Sequence, residues 1–219
     1  MYLGSPQLET AQIVIACGYD LIARAIADTL NEQGLQPAML SVQDLATASA
    51  PQADILILDD ATLNPQGFEP SLAEIRDKLP TTRIIIIDST CSPQRILQAS
   101  RLGVRGYLYL GDRLRERLKG AVTDVLEGGI YFSPSAAAAL AEAEHLAEQV
   151  LPRINAYHRQ VLSYMAQYWP AGQIANQLGR STQAIYQVQR YLRTLFDVDS
   201  NGALLERAGK WGLIQASAQ

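Results

Sequence analysis

The sequence predicts a doubly wound α/β domain with a parallel sheet, followed by a small all-α module. Three observations carry this. Short, continuous apolar runs alternate with amphipathic helical patterns between residues 12 and 126. An alanine- and glutamate-rich stretch, 133–151, follows with no strand signal. Beyond it only helical periodicities remain, two of them joined by a glycine turn at 172–195.

Residues 1–10 read as a frayed tail. QIVIAC (12–17) is a short buried-strand run, and Leu21–Leu30 is helical, closing at Gly34. Pro37–Leu40 is a weak strand, and DILIL (54–58) a strong one. Leu72–Leu79 is helical and stops at Pro80. RIIII (83–87) is the strongest strand, because four β-branched residues follow one another. Pro93–Leu102 is helical, closing at Gly103; GYLYL (106–110) is the fifth strand; Arg113–Leu126 is helical, closing at Gly128-Gly129. Five such units make a flavodoxin-like doubly wound sheet, in which ligands bind at the carboxyl ends of the strands. Those ends carry Cys17, Gly18, Asp59, Asp60, Asp88 and Leu110.

Ser133–Leu151 is a predicted helical connector, with Ser133 as its cap, Pro134 in its first turn and Pro152 ending it. Four helices are then expected near Tyr157–Tyr168, Gln173–Leu178, Thr182–Phe196 and Gly202–Gly209. The central pair is the most informative. Gly179 suits a helix C-terminus that needs positive φ, and Ser181 or Thr182 supplies a hydroxyl N-cap. Ile185, Val188, Leu192 and Leu195 form an apolar stripe, and Gln183, Tyr186, Gln187, Gln189, Arg190 and Arg193 lie opposite. That is the layout of a helix-turn-helix, whose amides and guanidinium groups match base edges and phosphates. On these residues alone, an αα-hairpin with a solvated polar face fits equally well.

The composition, 48% hydrophobic, is that of a soluble globular chain. No apolar run nears the roughly 18 residues of a membrane span, and the N-terminal residues show no secretory signal. Cys17 and Cys91 lack metal-ligand spacing and read as reduced thiols of a cytoplasmic protein. The net charge of -4 is uneven: residues 1–150 hold 11 Lys+Arg against 19 Asp+Glu, and residues 151–219 hold 7 against 3. Nucleic-acid binding, with weak non-specific affinity, is therefore expected only of the C-terminal part. No nucleophile–base pair, phosphate loop or metal-ligand cluster appears, so an enzyme is not expected and no cofactor is implied.

The segment HRQVLSYMAQYWPAGQIANQLGRSTQAIYQVQRYLRTLFDVDSNGALLERAGKWGLI, with DILILD (54–59), LGVRGYLYL (102–110) and LRERLKGAVTDVLEGGIYFSPSAAAAL (114–140), resembles bacterial response regulators of the NarL/FixJ type. These pair a receiver domain with a LuxR-type helix-turn-helix. The resemblance spans roughly residues 12–214 and implies a receiver-like domain over 1–132, a helical linker over 133–152 and a DNA-binding domain over 153–219.

The departures are informative. An active receiver holds Mg²⁺ with two acidic residues after its first strand; here those positions are Cys17 and Gly18. Its Lys at the end of the fifth strand is Leu110, and its Thr or Ser at the end of the fourth is Asp88. Only the acceptor aspartate remains, as Asp59. Without the metal ligands and the Lys, ordinary phosphorylation of Asp59 is disfavoured. Asp59, Asp60 and Asp88 either form a different cation site or are merely solvated or paired. Gly18 in place of a carboxylate is expected to enlarge the crevice, leaving room for a small ligand.

In the helix-turn-helix the resemblance assigns base contacts to Tyr186, Gln187 and Arg190, and phosphate contacts to Ser181, Thr182, Gln183 and Arg193. His158 stands where a glutamate is typical and reads as a surface residue. Trp169-Pro170 replaces a short polar turn, with Trp169 expected in the core. The implied protein is a cytoplasmic transcription regulator of the two-component type that binds double-stranded DNA as a homodimer. Its receiver-like domain is left for dimerisation, a protein partner or a small ligand. The alternatives are a regulator responding to a small molecule in the strand-end crevice, or an interaction module that has lost DNA binding.

Overall fold

The computed structural model describes residues 10–46, 53–63 and 67–214; the predicted N-terminal tail lies almost wholly outside them. The chain divides into two compact units, residues 1–141 and 142–219.

The first unit is a parallel sheet: β1 (Ile13–Ala16), β2 (Ala38–Met39), β3 (Ile55–Asp59), β4 (Arg83–Asp88), β5 (Gly106–Tyr109) and β6 (Tyr131–Phe132), in the order β2-β1-β3-β4-β5-β6. The expected five strands are therefore six. Tyr131–Phe132 pairs parallel to Gly106–Tyr107 and closes the edge beside β5. The strands β1, β3 and β4 are continuous apolar runs because both faces are covered, with polar residues only at the ends, Asp59 in β3 and Arg83 and Asp88 in β4. On one face Ile13, Ile15, Ile57 and Ile85 pack against α1 (Asp20–Glu32) and α5 (Leu114–Leu126) through Ile26, Leu30, Leu118 and Val122. On the other face Leu56, Leu58, Ile84 and Ile86 meet Phe68 and Leu72 of α3 (Phe68–Lys78) and Ile96 of α4 (Pro93–Arg101). Each such side chain, fully buried, contributes about 1.5–3 kcal/mol. A short helix not anticipated from sequence, α2 (Val42–Ala46), follows β2. Its first turn is held by Ser41, whose hydroxyl accepts from the Asp44 N–H at 3.2 Å.

The connector is helical as expected: α6 spans Pro134–His145, Leu146–Val150 continue as a wider π-helical turn, and Leu151–Arg153 close as a 3₁₀ turn. Ser133 stands at its N-cap position, its carbonyl accepting from the Ala137 N–H at 2.8 Å. Its buried hydroxyl instead accepts from the Tyr109 N–H at 3.0 Å. Asp112 caps the first turn from outside: its carboxylate accepts from the Ser135 N–H at 2.7 Å and the Ser135 hydroxyl at 2.6 Å. Desolvation pushes the Asp112 carboxyl up, but the hydrogen bonds of Ser135 and Ser133 and the Arg117 charge outweigh it and hold the carboxyl below its ordinary pKa. Ala136, Ala139 and Leu140 seat the start of α6 against the sheet unit.

The second unit contains α7 (Ala156–Ala166), α8 (Ala171–Gln177), α9 (Thr182–Leu195) and α10 (Asn201–Lys210). Its core includes Val161, Leu162, Ile174, Ile185, Leu192, Phe196 and Leu204. Among the described residues no helix is long and apolar enough to cross a membrane.

Candidate functional sites

At the strand ends of the first unit the pocket is closed. Asp59 is 1% exposed. Its carboxylate accepts from the N–H groups of Gly18 at 2.9 Å, Thr62 at 2.8 Å and Tyr19 at 3.3 Å, and from the Thr62 hydroxyl. The group that would accept a phosphoryl in an active receiver here ties the β1–α1 turn to the β3 turn. Gly18 does not widen the crevice. A Cβ there would lie 3.2 Å from the Ala61 Cβ, so Ala61 already fills that space. Cys17 is buried beside Asp59; burial first, then the Asp59 charge, pushes its thiol pKa up to about 12. Leu110 is half-buried against the α1–α5 face of the core.

The three carboxylates do not converge. Asp88 is fully buried and accepts from the Thr90 N–H at 2.8 Å, the Thr90 hydroxyl at 2.9 Å and the Tyr107 hydroxyl. Burial and the Asp88 charge raise the Tyr107 pKa far above its ordinary value, so Tyr107 remains a donor. Asp60 turns away to accept from the Ser89 hydroxyl at 2.7 Å, and Arg95 stands 3.9 Å from it. Among the described residues no group of three or more His, Cys, Asp or Glu is placed to hold a metal. Mg²⁺ does not fit. Cys17 and Gly18 offer no side-chain oxygen, and Asp59 is saturated by protein donors.

In the second unit Gly179 adopts φ +62, turning the chain between α8 and α9. Ser181 then caps α9, its hydroxyl accepting from the Ala184 N–H at 3.2 Å. Ile185 and Leu192 bury one face of α9; Val188 and Leu195, expected on the same stripe, are half-buried at its edge. Gln189 departs from expectation. It is 6% exposed and lies four residues after Ile185, on the core side. Its amide oxygen accepts from Asn201 at 3.4 Å. Arg193 also leaves the exposed face: it is half-buried and donates to the Asn201 side-chain oxygen at 2.7 Å. Ser181, Thr182, Gln183, Tyr186, Gln187 and Arg190 are exposed, with Tyr186 at 55%.

Sequence reasoning missed the roles of Asn155 and His158. They form a reciprocal cap on α7: the Asn155 side chain accepts from the His158 N–H at 2.9 Å, and His158 Nδ1 accepts from the Asn155 N–H at 3.5 Å. The Asn-x-x-His spacing carried that signal. His158 is thus half-buried, its ring 5.1 Å from that of Tyr191. Trp169, expected in the core, is half-buried, 4.7 Å from the Tyr164 ring.

No protein-family model and no curated protein sequence matches the chain. Solved structures do. A Salmonella typhimurium RcsB response regulator is 18% identical with a TM-score of 0.74, covering 91% of this chain and 100% of that one. RcsB from Salmonella enterica serovar Typhimurium bound to a promoter, in the presence of a phosphomimetic beryllium fluoride, is 18% identical with a TM-score of 0.64, covering 92% and 98%. A LuxR-family two-component response regulator from an Aurantimonas species is 22% identical with a TM-score of 0.53, covering 62% and 98%. The chain shares the two-domain fold of the RcsB structures, a parallel-sheet unit followed by a helical unit.

Proposed function

We propose that the chain is a DNA-binding transcription regulator whose receiver-like domain, residues 1–132, does not use standard aspartate phosphorylation. A linker over 133–152 joins it to a DNA-binding domain over 153–219. One observation carries the reading: Tyr186, Gln187 and Arg190 stand exposed on a helix capped by Ser181 and packed from behind through Ile185, Gln189 and Leu192. Such a helix can enter a major groove with its fold intact. Tyr186, Gln187 and Arg190 face bases; Ser181, Thr182 and Gln183 hold phosphates, and Arg193 reaches a phosphate while anchored to Asn201. RcsB structures with DNA, including one of two dimers on two parallel DNAs, support a homodimeric binder of double-stranded DNA.

Selection of bound fragments from random DNA at moderate salt, with the full chain, tests this. A reproducible sequence with two half-sites is expected. Absence of any affinity at low salt leaves a protein-interaction module instead. Acetyl phosphate with Mg²⁺ tests the other half: mass spectrometry should find Asp59 unmodified, and stoichiometric phospho-Asp59 would overturn the reading.

A further inference from the structure

The second unit holds a pocket of about 390 Å³ on the flank of α9. That falls within the range of roughly 300–1,000 Å³ typical of small-molecule sites. Ala184 and Val188, both half-buried, supply its apolar part, and Tyr157, His158 and Tyr191 supply rings. The His158 and Tyr191 rings stand 5.1 Å apart, tilted by 38°, and both line the space. Arg180 lines the same pocket. Its guanidinium stands 5.8 Å over the Tyr157 ring, with no hydrogen bond or ion pair among the described residues. No lining residue is acidic.

One further polar group has unused capacity. His158 accepts at Nδ1, so its neutral ring carries the proton on Nε2 and retains a donor. A cation, a spare donor and apolar and aromatic walls occur together with no opposing carboxylate.

We propose that this pocket binds a small planar aromatic anion, of the aromatic carboxylate class. The carboxylate pairs with Arg180 and takes a hydrogen bond from His158. The ring lies against His158 and Tyr191, over Ala184 and Val188. A bare inorganic anion uses Arg180 and leaves the rings idle, and a neutral ring leaves the guanidinium unpaired. Gln187 borders the same pocket, so an occupant competes with DNA for α9; this clause alone rests on the proposed function.

The test uses the full chain and four probes: benzoate, indole-3-carboxylate, neutral benzamide and inorganic phosphate, each titrated by calorimetry and ligand-observed NMR without DNA. The carboxylates should bind saturably, with benzamide and phosphate at least about tenfold weaker. Arg180→Gln should weaken the carboxylates about tenfold and leave benzamide unchanged. Ala184→Leu, which fills the apolar part, should abolish binding of both rings; circular dichroism confirms that each variant is folded. No saturation by either carboxylate up to about 10 mM, equal binding of phosphate, or wild-type affinity in Ala184→Leu overturns the proposal. A mobility shift on a selected fragment should weaken with saturating carboxylate, and no change overturns the competition. A chain that binds carboxylate but no DNA overturns the regulator reading and leaves the pocket standing.

Discussion

The strand ends of the sheet unit and the outer face of α9 invite the same question and give opposite answers. Both carry the polar residues by which a two-domain regulator would act. At the strand ends each one is taken up by the fold: Asp59 by three backbone N–H groups, Asp88 by Tyr107 and Thr90, Asp60 by Ser89. On α9, Tyr186, Gln187 and Arg190 are exposed and packing comes from the other side of the helix. A polar residue in a functional position is therefore informative only once its partners are counted. A carboxylate saturated by internal donors is a structural element, and an exposed amide or guanidinium is available to a ligand.

The largest effect should come from breaking the first half of this contrast. Asp59→Ala leaves the N–H groups of Gly18, Tyr19 and Thr62 without their acceptor in a closed site. Unfolding in urea should show a loss of about 2–4 kcal/mol. A phosphoacceptor open to solvent would tolerate the change, so a loss below about 0.5 kcal/mol would show that the site is not closed.

On α9 the contrast sharpens into one between two arginines. Arg190→Ala should cost about 1–3 kcal/mol on a preferred DNA site, relax discrimination there and leave folding unchanged. Arg193→Ala should weaken binding to all sequences and lower the salt slope by about one phosphate. It should also lower stability by roughly 1 kcal/mol, because Asn201 loses its partner. Mobility-shift titrations at two salt concentrations, with melting curves for each variant, separate the two roles. Equal stability of both variants would mean that the Arg193–Asn201 bond does not hold in solution.

Most of the architecture was legible because it is local. RIIII, DILIL and the Gly179–Ser181 turn each declare their structure within a few residues. What was not legible was either non-local or disguised by residue type. Tyr107 meets Asp88 across neighbouring parallel strands, and Asp112 caps a helix 23 residues later in the chain. The pairing of β6 with β5 depends on a helix folding between them. Gln189 was misplaced for the second reason. Its spacing from Ile185 puts it on the core side, but an amide ordinarily lies at the surface, and only Asn201 explains its burial.

The two cysteines extend the comparison to reactivity. Cys17, buried beside Asp59, has its pKa raised from 9.0 to about 12. Half-buried Cys91 is also raised, by burial first and then by the charges of Asp88 and Asp112. At pH 8 in native conditions, iodoacetamide should label Cys91 well before Cys17. For Cys17 the folded state holds its proton more tightly than the unfolded state. Its contribution to stability is therefore complete below about pH 9 and is lost as pH rises towards about 12. Native peptide mapping that finds Cys17 labelled first would reopen the crevice.

The smallest effect concerns the turn before α8, where the helical unit bears a conformational cost that its packing does not explain. Tyr168 sits at φ +62 and is 82% exposed. A bulky side chain in the left-handed region costs roughly 1–2 kcal/mol. The backbone is held there from both sides: the Tyr168 N–H donates to the Met165 carbonyl at 3.0 Å, and the Trp169 N–H to the Tyr164 carbonyl at 3.1 Å. The phenol itself contributes little to the fold. Tyr168→Gly should therefore relieve the strain, and glycine's greater freedom in the unfolded chain should offset part of the gain. A net stabilisation of about 0.5–1 kcal/mol is expected, visible as a melting temperature a few degrees higher. Tyr168→Ala keeps the strained φ and should gain nothing, so the difference between the two variants isolates the backbone from the ring. If glycine destabilises and alanine does so equally, the ring is packed in solution, and its exposed position at the turn before α8 marks a contact surface of the helical unit.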